Sequence, residues 1–273
     1  MKEHPRKISI LRDALEKRTF KNYEVQEDNR KLGEGVYSIA KRADVSLTDA
    51  PGYNRSFVLK RPKLVFGGKG PETEKQFKMV EDVLTVYVQK YTDMKAKGIK
   101  HLPTTFRLGG IAERDPVIAM TDYTEEGRKV VLSNNTVENR HNVVISVGDV
   151  TNIQELYEDI YQNIKRITDA RYSVTADSYF FIMPADHTDA HMEFAIADFD
   201  GCTPATNVSN TSLFVRNLEQ AMTGLQYVLN HHMADKKKSI AHIDLLRQFS
   251  DQDIEEARLQ AASDSGEIPQ KGK

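Results

Sequence analysis

The feature that most constrains this chain is a short apolar run that ends in two carboxylates. Phe194 to Ala197 has the composition of a buried strand of four or five residues. Asp198 and Asp200 follow where the strand stops, and Gly201 comes next. Hard cations such as Mg²⁺ prefer carboxylate oxygens together with phosphate oxygens. The common alternative is a strand that ends in a polar turn, and the rest of the chain must decide between the two.

The composition excludes several classes of protein. The chain has 273 residues, with 38 Lys and Arg against 40 Asp and Glu, so no global basic field points to nucleic acid. Its single cysteine, Cys202, rules out a disulfide within the chain and indicates a reducing compartment. The charged N-terminus lacks the apolar segment of a signal peptide, and no apolar stretch is long enough to span a membrane. We expect a cytoplasmic protein.

A glycine pair precedes the first strong strand pattern. Gly33 and Gly35 flank one residue, and residues 36–40 then alternate between apolar and small or polar side chains, which predicts a strand. Glycines at the start of a strand allow backbone amides to approach a phosphate closely. Many hairpins also carry such a pair, so this signal is weak alone.

A lysine stands at the end of the next predicted strand, Ser56 to Lys60. A lysine on an apolar strand is uncommon unless its ammonium group has a partner. The alternative is a strand end from which Lys60 points to solvent. The glycine pair that precedes it favours a nucleotide-binding role.

Residues 72–97 predict a long helix, because apolar side chains recur at helical spacing between Phe77 and Tyr91. Glu81 lies in the middle of this helix beside the apolar stripe. Glu74, seven residues earlier, shares roughly the same face. Either glutamate could therefore face inward.

The remaining pattern alternates strands and helices. Apolar runs predict strands over residues 102–108, 116–120, 129–132, 142–147 and 179–183. Thr151 and Gln154 resemble a capping box at the start of a helix over 153–171. Another helix carries apolar residues from Leu213 to Leu229, and a last helix is expected to start at Ser250 and to end near Ala262.

In chain order, these motifs resemble the protein-kinase-like superfamily, including its small-molecule kinases, over roughly residues 30–235. The resemblance implies a bilobal α+β kinase-like fold with a reduced C-terminal lobe. The small lobe and hinge would span 30–127, and a mainly helical large lobe would span 128–262. A lead-in segment, 1–29, would precede them, and a disordered tail, 263–273, would follow.

The resemblance also implies a site for ATP. The glycine-rich phosphate loop corresponds to Gly33 and Gly35, with Ser38 in place of a third glycine. Lys60 corresponds to the phosphate-binding lysine, held by a helix glutamate that would be Glu81 rather than Glu74. The adenine would lie against the hinge segment of residues 121–127 and its preceding strand. Its expected contacts are Met120 at the back of the pocket and the backbone of Thr121 and Tyr123.

For the metal, the resemblance implies Mg²⁺ or Mn²⁺ bound by Asp198, assisted by Asp200 or Asp177. Lys60, Asp198 and Asp177 would be the catalytic residues. Protein kinases usually have a glycine where this chain has Asp200, and some small-molecule kinases of the superfamily carry a comparable Asp-Phe-Asp.

The chain departs from the family in the catalytic loop. Residues 171–179 contain no His-Arg-Asp triplet. Ser173 or Val174 stands where the base aspartate is expected, and Asp177 or Ser178 stands near the asparagine for the second metal.

The sequence leaves open two hypotheses. One is an atypical phosphotransferase or nucleotidyl transferase with a protein or small-molecule acceptor, and the other is a pseudokinase that serves as an ATP-binding scaffold. A third hypothesis, a binding protein that has lost the nucleotide site, is less favoured because Gly33, Gly35, Lys60 and Asp198 are all present.

Overall fold

The computed structural model describes residues 23–34, 38–47, 54–62, 71–108, 117–124, 128–132, 148–183 and 189–264. Their contacts divide them into two units. Unit 1 holds the first five strands and most of the first helix, and unit 2 holds the last turn of that helix and the remaining elements. Within the described ranges, no helix combines the length and apolar character needed to cross a membrane.

Unit 1 is built on one antiparallel sheet with the strand order β1-β2-β3-β5-β4. Its strands are β1 (Tyr23–Glu34), β2 (Ser38–Leu47), β3 (Asn54–Pro62), β4 (Thr105–Leu108) and β5 (Val117–Thr121). Two register irregularities interrupt the pairing of β1 with β2. The strands predicted around Lys60, at 102–108 and at 116–120 are confirmed, with bounds that differ by a few residues.

One face of this sheet forms an apolar core. Leu59 of β3 is fully buried, and it clusters with alternate residues of β2, β4 and β5. Phe57 packs its ring edge against Phe106, with ring centroids 5.0 Å apart. Because side chains alternate along a strand, Lys60 projects from the opposite face. The alternation that predicted β3 therefore also places its core residues and Lys60 on opposite faces of the sheet.

Helix α1 (Pro71–Ala96) agrees with the predicted span of 72–97. Its described buried side chains, Leu84, Tyr87, Val88, Tyr91 and Met94, recur at helical spacing. Gly98 follows with φ of 78° and donates its N–H to Lys95 O. Glycine adopts this left-handed conformation without steric cost, so it ends the helix.

Unit 2 combines helices with small sheets. The helices are α2 (Ile153–Asp169), α3 (Asn210–His232) and α4 (Lys236–Asp264). The strands are β6 (Lys129–Leu132), β7 (Asp149–Val150), β8 (Tyr172–Val174), β9 (Tyr179–Met183), β10 (Asp189–Ala190), β11 (Glu193–Ile196) and β12 (Cys202–Pro204). They form the sheets β11-β9-β6, β10-β7 and β12-β8. The chain is thus an α+β protein, as predicted.

The capping box predicted before α2 is wrong. Asn152 occupies the N-cap position and makes no side-chain cap hydrogen bond. Its amide instead bonds a neighbouring backbone segment in both directions, donating to Met192 O at 2.9 Å and accepting from Met192 N at 2.9 Å. A tertiary contact has replaced the local one.

The predicted start of the last helix is also wrong, because α4 begins at Lys236 and passes through Ser250 without a break. The Ser250 hydroxyl donates to Arg247 O at 3.1 Å, so it bonds the preceding turn instead of capping a new one.

Several predictions concern residues that the structure does not describe. Among them are most of the lead-in segment, the strand over 142–147, the end of the connector at 125–127 and the tail beyond 264. Strand β1 begins at Tyr23, inside the span predicted as lead-in.

Candidate functional site

The two carboxylates after β11 lie on a tight turn, as the apolar run predicted. Phe199 to Gly201 forms one turn of 3₁₀ helix, and Asp198 is its N-cap, accepting the N–H of Asp200 at 3.3 Å. Phe199 is fully buried and anchors the turn. Asp198 is half-buried and Asp200 is exposed. Asp198 therefore caps the turn with one carboxylate oxygen.

Gly201 fits this turn against a second one, formed by residues 175–178. A β-carbon at Gly201 would collide with the hydroxyl oxygens of Thr175 and Ser178. The backbone also joins the two turns, since Thr175 N donates to Gly201 O at 3.2 Å and Ala197 N donates to Ser178 O at 3.0 Å. The close approach explains why a glycine follows the acidic pair.

Asp177 lies on this second turn, so the structure brings it together with the 198–201 segment. Its carboxylate accepts a hydrogen bond from the Thr175 hydroxyl. Its Oδ1 lies 3.3 Å from where a β-carbon on Gly201 would stand. The predicted metal-binding aspartates, Asp177, Asp198 and Asp200, thus come from two contacting turns of one unit.

Helix α3 holds the second turn in place through two polar side chains that the sequence analysis missed. Asn217 is fully buried; its Oδ1 accepts from Val174 N at 3.0 Å, and its Nδ2 donates to Tyr172 O at 2.9 Å. Gln220 Oε1 accepts from Ala176 N at 3.0 Å. The detectable signal was an asparagine within the apolar stripe of a helix, where a buried amide needs partners.

The donor set at these turns fits a cation that takes few protein ligands. In the described part of the chain, no group of three or more His, Cys, Asp and Glu side chains is placed to hold a metal ion. Mg²⁺ is often bound through one or two carboxylates, with water and substrate phosphates completing its shell. Asp198 and Asp177 could supply such ligands, but the protein offers no complete metal cage here.

In unit 1, Lys60 faces helix α1. Its ammonium group lies 4.6 Å from the centre of the Tyr87 ring, and the lysine is half-buried. The Tyr87 hydroxyl also contacts Met120 Sδ at 3.8 Å. Two of the predicted nucleotide-binding residues, Lys60 and Met120, therefore meet at one tyrosine, which no sequence motif had indicated.

The predicted partners of Lys60 and part of the phosphate loop cannot be placed. The side chains of Glu81 and Glu74, the side chain of Ser38 and the whole of Gly35 lie outside the described structure. Gly33 lies near the end of β1, opposite Ala40 of β2.

The connector after β5 is fixed by a buried carboxylate that the sequence analysis also missed. The fully buried side chain of Asp122 accepts from Arg42 Nε at 2.6 Å and from Thr124 N at 2.8 Å. The Thr124 hydroxyl contacts both Asp122 and Arg42. Thr121 is held separately, because its N–H donates to Thr104 O at 3.0 Å. The amide of Thr121 is therefore already engaged in a backbone hydrogen bond.

Comparisons with known proteins give little further guidance. No protein-family model matches the chain, and no curated protein matches it. Among solved structures, the chain is similar to the Helicobacter pylori proinflammatory kinase CtkA, with 10% sequence identity and a TM-score of 0.42. The match covers 90% of this chain and 97% of the other. That TM-score is too low to establish a shared fold.

Proposed function

We propose that this protein is an atypical kinase-like phosphotransferase that binds ATP with Mg²⁺ or Mn²⁺. The observation that carries the proposal is the contact between the Asp198–Gly201 turn and the turn that bears Asp177. A kinase-like site needs its metal-binding aspartate beside the loop that serves the acceptor, and these two turns meet in that way.

The carboxylates have distinct roles in this proposal. Asp198 binds the metal through its carboxylate. Asp177 assists from the neighbouring turn, and the exposed Asp200 adds negative charge beside them. The metal, when bound, would neutralise charge on the transferred phosphoryl group.

Lys60 binds the nucleotide phosphates as a point charge. The Tyr87 ring keeps the ammonium group on the helix side of the sheet, where a cation over an aromatic face is favoured by about 0.5–1 kcal/mol at partly exposed sites. Glu81, or Glu74 in its place, completes the support, and the backbone of Gly33, Gly35 and Ser38 approaches the phosphates. Met120, the Thr121 carbonyl and the Tyr123 backbone contact the base.

A second candidate function is a pseudokinase that uses ATP to stabilise an interaction surface. The observation that favours it is the absence of a base aspartate between residues 171 and 176. A general base contributes only about 10²–10⁴-fold to rate. Phosphoryl transfer depends mainly on positioning and electrostatics, so this departure slows transfer without abolishing it.

The decisive experiment incubates the protein and Mg²⁺ or Mn²⁺ with ATP labelled at the γ- or the α-phosphate. Release or transfer of γ-label supports the phosphotransferase. Covalent attachment of the α-label to the protein or to an acceptor would indicate nucleotidyl transfer and overturn the kinase assignment. Saturable ATP binding without either reaction would support the pseudokinase, and no binding at all would refute both.

Two substitutions locate the activity, each with a matched control. Lys60→Ala and Asp198→Ala should abolish metal-dependent ATP binding or turnover. Lys41→Ala, in the neighbouring strand, and Asp251→Asn, on the exposed face of α4, should leave both unchanged. Equal losses in the controls would point to unfolding instead.

A further inference from the structure

A cleft lies in unit 2, between helices α2, α3 and α4, and it shares no residue with the acidic turns. Its volume is about 400 Å³, within the size range of small-molecule sites. Helix α2 contributes Tyr161, Lys165, Thr168 and Asp169 at helical spacing, and α4 contributes Asp253 and Glu256. The first turns of α3 complete the wall with Phe214.

The charges in this cleft favour a cation. Three carboxylates, on Asp169, Asp253 and Glu256, line it, and Lys165 is the one basic residue among its lining side chains. The excess is two negative charges. Asp253 is already oriented, because the Tyr157 hydroxyl donates a hydrogen bond to it. Burial raises the pKa of Asp253, and the nearby Glu256 raises it further, while the Tyr157 bond and Lys165 oppose the increase.

The cleft also has an aromatic wall on which a cation can rest. Tyr161 and Phe214 meet edge to face, with ring centroids 5.7 Å apart. The Lys165 ammonium group lies 5.6 Å from the centre of the Tyr161 ring. The Lys165 ammonium group therefore already takes the kind of position that a bound cation would take.

Thr168 is an independent indication of a ligand. Its side chain lines the cleft and is only 4% exposed, and its hydroxyl oxygen is buried without a hydrogen-bond partner among the described residues. A buried hydroxyl without a partner is costly in a native protein. A polar ligand in the cleft would supply the missing bond.

We infer that this cleft binds a small organic cation, an ammonium, amidinium or guanidinium group attached to an apolar or aromatic body. The carboxylates attract the charged group, the Tyr161 and Phe214 rings contact the body, and the Thr168 hydroxyl bonds a polar atom. Lys165 competes for the same ring and carboxylates, so it limits the affinity.

The test uses benzamidine as the probe on the full chain, without ATP, with binding followed by calorimetry and by amide NMR. The neutral isostere benzamide and the anion benzoate are the ligand controls. Benzamidine should bind saturably and shift the amide resonances of residues 161–169 and 253–256, whereas benzamide should bind at least about threefold more weakly, as for loss of an exposed ion pair. Equal binding of benzamide, preferred binding of benzoate or no saturable binding of benzamidine would overturn the proposal.

Three substitutions should change benzamidine binding in different directions, a pattern that a general loss of folding cannot produce. Glu256→Gln should weaken benzamidine binding, and Lys165→Gln should strengthen it, each by about threefold. Thr168→Val should weaken binding while raising the melting temperature of the free protein, because it removes the unpartnered hydroxyl. A Lys165→Gln variant that binds no more tightly, or a Thr168→Val variant that is stabilised but binds equally well, would refute the assigned contacts.

Discussion

Gly201 has no room for a β-carbon, because the hydroxyl groups of Thr175 and Ser178 occupy the space where it would lie. Its φ is not in the left-handed region, so space and not backbone conformation requires the glycine there. The residue therefore sets how closely the turn of Asp198 approaches the turn of Asp177. At the scale of single residues, such local constraints decide the geometry of the site.

Gly201→Ala should destabilise the protein by about 1–3 kcal/mol, as overpacking usually does. Urea unfolding followed by circular dichroism measures the change. In a Thr175→Ala/Ser178→Ala background, where both colliding hydroxyls are gone, the same substitution should cost much less. An alanine variant as stable as the wild type in the original background would show that the two turns separate easily.

Substitution of Tyr179 should change the stability in the opposite direction from Gly201→Ala. Tyr179 is fully buried, its hydroxyl has no hydrogen-bond partner in the described part of the chain, and burial raises its pKa. Tyr179→Phe removes this unpaired group and should stabilise the protein by about 1 kcal/mol. Tyr157→Phe is the matched control, because it breaks the bond to Asp253 and should destabilise. A lower melting temperature for Tyr179→Phe would mean that its hydroxyl has a partner.

The pair of Arg42 and Asp122 can be tested by a double-mutant cycle. Arg42→Ala leaves a buried carboxylate without its cation and should cost about 2 kcal/mol, somewhat below the range for fully buried pairs because Arg42 is partly exposed. Arg42→Ala with Asp122→Asn should cost less than the sum of the single changes. Additive losses would show that the two side chains do not interact. Lys41→Ala is the control on the same strand.

At the scale of elements, three asparagines of unit 2 join helices to non-helical backbone in the same way. Each accepts one backbone N–H through Oδ1 and donates Nδ2 to a backbone carbonyl. Asn152 bonds both groups of Met192, Asn163 bonds both groups of Lys100 at 2.9 and 3.0 Å, and Asn217 bonds Val174 and Tyr172. Each side-chain amide thus makes the paired N–H and C=O hydrogen bonds that a neighbouring strand would make.

Asn217→Ala should destabilise the protein by about 2 kcal/mol, because it removes two hydrogen bonds to buried backbone groups. Hydrogen exchange should also accelerate at the amide of Val174, a readout that a general loss of packing would not confine to that residue. Asn230→Ala, on the exposed surface of the same helix, should change stability by no more than about 0.5 kcal/mol. Unchanged protection at Val174 would contradict the assigned bond.

The sequence predicted the regular elements because their signal is periodic. Apolar spacing indicated α1, whose end is marked by Gly98, and the apolar run of β9 is correct at both ends. The errors fall where a polar side chain does not cap the helix that it was expected to cap: Asn152 bonds the distant Met192, and Ser250 bonds the preceding turn at Arg247. Asn152 and Ser250 carry capping preferences that the sequence shows, but only the folded chain reveals what each side chain bonds.

The same limit applies to the candidate site. The motif order suggested Asp198, Asp177 and Lys60 as candidates, and the fold places the two aspartates on contacting turns. Tyr87 and Asp122 could not be found in that way, because an aromatic on an apolar helix face and an aspartate in a connector have many ordinary roles. Their importance comes from partners that lie far away in the sequence.

At the scale of the whole molecule, the stability in acid should depend on the oriented carboxylate of Asp149. Burial raises its pKa, but hydrogen bonds from Lys238 and His242, both at 2.7 Å, hold the pKa below its usual range. A carboxyl group with a lowered pKa stabilises the folded state above its ordinary value, and this contribution is lost as the pH falls through the folded value.

Asp149→Asn should therefore be less stable than the wild type near neutral pH, and the difference should close as the pH falls below about 3.9, the ordinary pKa of aspartate. Urea unfolding at a series of pH values gives this comparison. Asp244→Asn, an exposed i,i+3 partner of Arg247, should show little difference at any pH. A difference for Asp149→Asn that is constant with pH would assign its effect to shape and not to charge.

Helix α1 begins in unit 1 and ends in unit 2, and the chain then returns to unit 1 for β4 and β5. Neither unit is therefore encoded by one uninterrupted stretch of its gene. A single duplication, fusion or deletion cannot gain or lose either unit intact. Such a protein should therefore evolve mainly by substitutions within the units, and the two units should evolve as a pair.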